Sequence, residues 1–142
     1  MYESYTRQAL PEKNYRELLG SAICVFNSNN AFVIENILNT TGGEKYSWHK
    51  LVDHTSGGLK EEVLKTITAA SNADIADLFD KIVEKRNRIV HSFQITDTGN
   101  NEQILATKDK DNIQFQISRC YLLEFIKDNN RLSSLLHDYR GF

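Results

Sequence analysis

Apolar residues recur at helical spacing through most of this 142-residue chain, and its single proline, Pro11, stands before the first such run. A backbone with no later proline and a 3.6-residue apolar period leans towards packed helices. From Tyr15 onward, Leu19, Ile23, Phe26, Val33 and Ile37 predict a first helix from about residue 12 to 39, with Pro11 suited to its first turn. The polar string Asn27-Ser28-Asn29-Asn30 interrupts the stripe and leaves a kink or two helices open. Thr40-Thr41-Gly42-Gly43 should end the helix, glycine serving as its cap.

A short helix is expected within residues 44–58, bounded by Gly57 and Gly58. A second amphipathic stretch follows, with Leu59, Val63, Leu64 and Ile67 on one side. Ser71 and Asp74 have the spacing of a capping-box start, and predict a helix from about 72 to 93. Turn residues 96–101 break it. Two-residue alternation on either side of Asp109-Lys110-Asp111-Asn112 then reads as a hairpin within residues 102–117. Helical spacing returns through Leu122, Leu123, Ile126, Leu132 and Leu136. Residues 1–10 read as an arm or a short strand. The fold expected is therefore a single, mainly all-α domain over 1–142, a helical bundle with a long first helix and a small β-hairpin inserted before the last helix.

A net charge of -2 excludes a broad basic surface for a long polyanion, so any nucleic-acid contact has to be local. Cys24 and Cys120 each neighbour apolar residues and lack metal or redox spacing, which predicts two buried, reduced thiols. No signal-peptide pattern or membrane-length apolar run occurs in the sequence, and the expectation is a cytoplasmic protein with no membrane contact.

One residue breaks the pattern. Placing successive residues about 100° apart from Ile75 puts Leu78, Phe79, Ile82, Val83, Ile89, Val90 and Phe93 on one arc, and Arg86 near its middle. Helix-dipole stabilisation of roughly 0.3–1 kcal/mol accounts for Lys85 and Arg88 in the last turns, but not for a guanidinium on the apolar face, whose desolvation costs several kcal/mol. Arg86 needs an anion, an interface or a buried carboxylate. His91 falls on the polar side with Glu84, and Asn87 lies between it and Arg86, so that one helix edge carries a fan of polar groups.

Arg86-Asn87-Arg88-Ile89-Val90-His91 resembles the Arg-x4-6-His motif of the HEPN superfamily, in the form where asparagine follows the arginine. The surroundings match too, since in that superfamily the motif lies near the C-terminal end of a helix in an all-α bundle with a long first helix. The resemblance implies a metal-independent endoribonuclease acting as a homodimer, its motif helices facing across a cleft. It further implies RNA as substrate, a role in toxin–antitoxin or antiviral defence with an antitoxin or other regulatory partner, and no cofactor. Some members only bind nucleotides or partner proteins, which is the alternative reading. One subgroup carries a modifiable tyrosine two residues after the histidine; here that position is Phe93.

The chemistry is consistent with these residue types. Cleavage of RNA by its own 2′-hydroxyl needs a base, an acid for the departing 5′-oxygen, and positive charge on the phosphoryl oxygens. Histidine serves either proton role near neutrality, and arginine offers a planar fork to phosphate. One chain provides one motif histidine, whereas a two-fold dimer provides two. The expected assignment is Arg86 and His91 as catalytic, with Asn87, Arg88, Lys85 and Glu84 supporting or holding substrate, and no metal. A third reading has Arg86 tied to a carboxylate of its own subunit in a plain helical scaffold.

Other candidates weigh less. His49 and His54 with Asp53 have poor spacing for a metal on one helix face. Trp48 and Tyr46 suit a core or interface better than base stacking, and His137 lies among polar residues. Asn29, Asn30 and Asn36 in the first helix are explained by a reach to the cleft, a kink, or hydrogen bonds between helices.

Overall fold

The computed structural model describes residues 1–41 and 46–141. Among these residues five α-helices, α1 (Lys13–Thr41), α2 (Trp48–Val52), α3 (Ser56–Val63), α4 (Asp74–Val90) and α5 (Arg119–Arg140), surround a common core. Three short strands, β1 (Phe93–Thr96), β2 (Gln103–Lys108) and β3 (Gln114–Gln116), separate α4 from α5. The chain is thus mainly helical, with a small antiparallel sheet in the order β1-β2-β3.

The long first helix is continuous for 29 residues. Its asparagines do not split it into two helices; the expected caps Gly42 and Gly43 lie outside the described residues. α1 and α5 run in the same direction, because Tyr15 reaches Ile117, Asn29 reaches Asn129, and the Thr40 hydroxyl lies 2.6 Å from that of Tyr139. The rest of the chain forms the crossover between them. Its core is built from Phe26, Val33 and Ile37 of α1, Leu59 and Val63 of α3, Phe79 and Ile82 of α4, and Phe125 and Leu132 of α5, all buried.

Several local expectations are corrected. Gly57 and Gly58 do not bound a helix; they occupy the first turn of α3, whose N-cap Thr55 accepts a hydrogen bond from the Gly58 N–H. After α3 the chain continues through one π-helical turn, Leu64–Thr68, in which Leu64 is exposed and Ile67 buried. Ser71 and Asp74 form no capping box: the Ser71 hydroxyl donates back to Ile67 O, and Asn72 Oδ1 accepts the Asp74 N–H. α4 stops at Val90, not 93, so Phe93 leaves the helical arc and is 41% exposed, and Val90, the last helical residue, is 51% exposed. The helical period runs past the point where the backbone leaves it.

The hairpin of β2 and β3 forms within 102–117 as expected, but β1 joins it, Phe93 pairing with Ala106 and Thr96 with Gln103. The chain start forms a single 3-10 turn, Tyr2–Tyr5, and Ala9 O accepts from the Gln94 side chain, tying it to β1. Cys24 and Cys120 are free but exposed, not buried as expected, each on the outer side of its helix.

Tyr15 joins helix to sheet: its buried hydroxyl donates to Ile117 O at 2.6 Å and receives the Leu105 N–H at 3.4 Å. Tyr15→Phe leaves both backbone groups unpaired and should cost about 1–3 kcal/mol, read in thermal unfolding as a fall of several degrees in Tm.

Candidate active site

Arg86 lies where helical periodicity places it, on the inward side of α4. Its guanidinium carbon is 5.1 Å from the centroid of the Phe26 ring on α1, and Nη2 donates to Ser56 Oγ on α3 at 3.0 Å. Nε is buried and has no hydrogen-bond partner among the described residues. Among the described residues no carboxylate lies within ion-pair distance of Arg86, and burial lowers its pKa from the ordinary arginine value. This disfavours the scaffold reading, which requires such a carboxylate. A cation held by an aromatic face and one neutral hydroxyl retains unused capacity for an anion.

The other members of the motif diverge. His91 is the C-cap residue of α4 (φ -94°, ψ 27°), exposed, with its backbone N–H still donating to Asn87 O. It lies on the polar side of α4, away from the packing that holds Arg86. Asn87 is half-buried. On either side of the histidine stand the exposed apolar residues Val90 and Phe93.

Lys85 and Arg88 are engaged within the chain. Lys85 Nζ lies 2.9 Å from Asp128 Oδ2 on α5, and its backbone carbonyl accepts from Tyr121 OH at 3.3 Å. Arg88 donates to Lys108 O on β2, and its Nε lies 3.4 Å from Glu84 Oε1. Of the three cations expected to act on or hold substrate, Arg86 is thus the one without a carboxylate partner among the described residues. Glu84 sits beside the motif as a partner of Arg88.

Two neighbours were not singled out by sequence. Ser56, within a Thr-Ser-Gly-Gly string that suggests a helix boundary, is the direct partner of Arg86. Tyr121 stands in an apolar run that gives it no mark of its own; burial, and secondarily the charge of Glu84, push its hydroxyl up to about 12, so it remains a neutral donor. Of the asparagines, Asn29 and Asn30 make contacts between helices, whereas Asn36 donates to Phe32 O within α1.

The remaining candidates do not gather. Among the described residues no three His, Cys, Asp or Glu side chains are placed to hold a metal ion. His54 Nδ1 lies 2.7 Å from Lys50 O, His49 is exposed, and the His137 ring lies against Phe32 at 4.7 Å between centroids. Among the described residues no helix is long and apolar enough to cross a membrane. No family model matches the chain, and neither a curated protein nor a solved structure shows significant similarity to it.

Proposed function

We propose that the chain is a HEPN-like, metal-independent endoribonuclease in which Arg86 and His91 act on RNA in the cleft of a homodimer. The observation that carries this reading is the half-buried Arg86 guanidinium, which meets Phe26 and Ser56 but no carboxylate among the described residues. A scissile phosphate is a fitting occupant, because its oxygens accept the planar guanidinium fork and gain negative charge as the reaction proceeds. Asn87, on the same helix edge, orients the phosphate or the histidine.

The exposed His91 performs one proton transfer, and its symmetry mate the other. In-line attack by the 2′-hydroxyl on phosphorus forms a bond as the 5′-oxygen leaves, giving a 2′,3′-cyclic phosphate and a 5′-hydroxyl. Base and acid lie on opposite sides of phosphorus, which suits two histidines across a two-fold axis. Val90 and Phe93 support the same geometry: a second copy meeting the His91 edge covers these apolar groups. Val90→Glu is expected to shift the protein to a monomer in light scattering and to lower cleavage at least 10-fold.

Purified wild type, Arg86→Ala and His91→Ala should be incubated with tRNA and mRNA in EDTA. Wild type is expected to cleave, and either substitution to lower the rate by roughly 10²- to 10⁴-fold. An inert wild type, or variants that cleave equally, removes the enzymatic reading.

One observation favours a second reading, a non-catalytic module that binds a nucleotide or a partner protein. With Lys85 neutralised by Asp128 and Arg88 beside Glu84, the remaining positive charge suits a small anion better than a long one. Expression in a host separates the two. A toxic ribonuclease slows growth, with relief by Arg86→Ala, whereas a binding module is tolerated.

A further inference from the structure

Four contacts join the helices around Arg86, and they connect end to end. Lys85 on α4 pairs with Asp128 on α5 at 2.9 Å. Beside Asp128, Asn129 accepts from Asn29 Nδ2 of α1 through its backbone and side-chain oxygens, at 2.7 and 3.0 Å. Beside Asn29, Asn30 Oδ1 accepts from Ser56 Oγ of α3 at 3.3 Å, and that oxygen receives Arg86 Nη2 at 3.0 Å. Arg86 is next to Lys85, which closes the circuit.

The circuit follows from helical geometry. Neighbouring residues point about 100° apart, so a polar pair at one level can address two different neighbouring helices. Three such pairs, 85–86, 128–129 and 29–30, with Ser56 between Asn30 and Arg86, encircle the bundle. Inside lie Phe26 and Phe125, their rings stacked at 6.2 Å, and Arg86 rests on Phe26. Asp128, Asn129, Asn29 and Ser56 are buried, so their alternatives to these partners are few.

We propose that these contacts act as one closed polar belt, and that Asn29, Asn30, Ser56, Asp128 and Asn129 are positioning residues that hold the Arg86 guanidinium between Phe26 and Ser56. A rotation of α4 that releases Arg86 also pulls Lys85 from Asp128, and a shift of α5 against α1 at Asn129 reaches Ser56 through Asn30. The catalytic consequence rests on the ribonuclease reading; the mechanical one does not.

The test therefore has two readouts. The Arg86 Nε–H is buried, so it should give a slowly exchanging side-chain signal in nitrogen-15 NMR spectra of the full chain, assigned by its loss in Arg86→Lys. Asn29→Ala opens the belt at a residue that does not touch Arg86. Its expected result is exchange of the Arg86 Nε–H at least 10-fold faster, with the backbone amide spectrum still that of a folded protein. Asp128→Asn keeps the side-chain shape, opens the belt at another link, and decides the matter if Asn29→Ala does not fold. Unchanged exchange in the folded variants overturns the belt.

The second readout is RNA cleavage by the same variants. The expectation is a kcat at least 10-fold lower with KM within about two-fold, as for misplacement of a group that acts in the transition state. A wild type without ribonuclease activity but with coupled Nε–H exchange would retain the belt and discard the enzyme. Faster exchange with kcat unchanged would retain the belt and overturn its positioning role.

Discussion

Replacing Arg86 by methionine is expected to make the protein more stable and inactive. Methionine matches the length of the aliphatic stem, fills irregular space and carries no charge to desolvate. What it loses is modest: one hydrogen bond to Ser56, whose hydroxyl keeps Asn30, and the face of Phe26, on which a thioether also packs well. What it relieves is a buried Nε without a partner and a guanidinium whose pKa burial already lowers. Exchange of such a group for a hydrophobic one of similar volume stabilises by about 1 kcal/mol or more, a rise of roughly 2–6 °C in Tm. RNA cleavage should fall by roughly 10²-fold or more in the same variant, because methionine offers phosphate nothing. Opposite movements of stability and activity identify a residue retained for its chemistry. A less stable Arg86→Met protein would place Arg86 among the residues that hold the bundle together.

Asp128 should behave in the opposite way. Its carboxylate is 2% exposed and serves Lys85 at 2.9 Å, Lys81 at 3.8 Å and Arg131. Burial alone would raise its pKa. The hydrogen bond from Lys85 and the charges of Lys85, Lys81 and Arg131 outweigh that and hold it below the ordinary carboxylate value. Asp128→Ala strands these cations beside one another. Lys85 is partly exposed and the other two largely so, which lets them recover water, and the expected loss is about 2–4 kcal/mol in urea unfolding at pH 7.

The pH dependence has a definite sign. The folded-state pKa of Asp128 lies below its unfolded value of about 3.9, so its contribution is full above that value and is lost as pH falls through the folded pKa. Wild type and Asp128→Ala should therefore differ by a constant amount from pH 7 to about 5 and converge below about pH 4. A difference that grows on acidification would contradict the ion cluster.

Arg86 was legible in the sequence because an amphipathic helix gives every residue an angle, and a cation seven residues from both Phe79 and Phe93 shares their side. The core followed from the same periodicity. Its partners were hidden for a physical reason: Ser56 is 30 residues away and Asp128 is 43 from Lys85, and nothing local distinguishes a serine in Thr-Ser-Gly-Gly or an aspartate in Lys-Asp-Asn-Asn as buried. Val90 and Phe93 show the converse. Their spacing continues the apolar arc, but α4 ends at Val90, Phe93 lies beyond it, and both are exposed beside His91. The pull of Asp128 on Lys85 likewise lies beyond local pattern, and with the Arg88–Glu84 pair it leaves Arg86 as the motif cation without a carboxylate among the described residues.

The account stands on the claim that Arg86 and His91 promote attack by the RNA's own 2′-hydroxyl, and the ends of the cleaved strands report on it most directly. Mapping the termini left by wild-type protein in EDTA should show 2′,3′-cyclic phosphates facing 5′-hydroxyls, both lost in Arg86→Ala and His91→Ala. Fragments ending in 3′-hydroxyl and 5′-phosphate, or cleavage that requires a divalent metal, would contradict it.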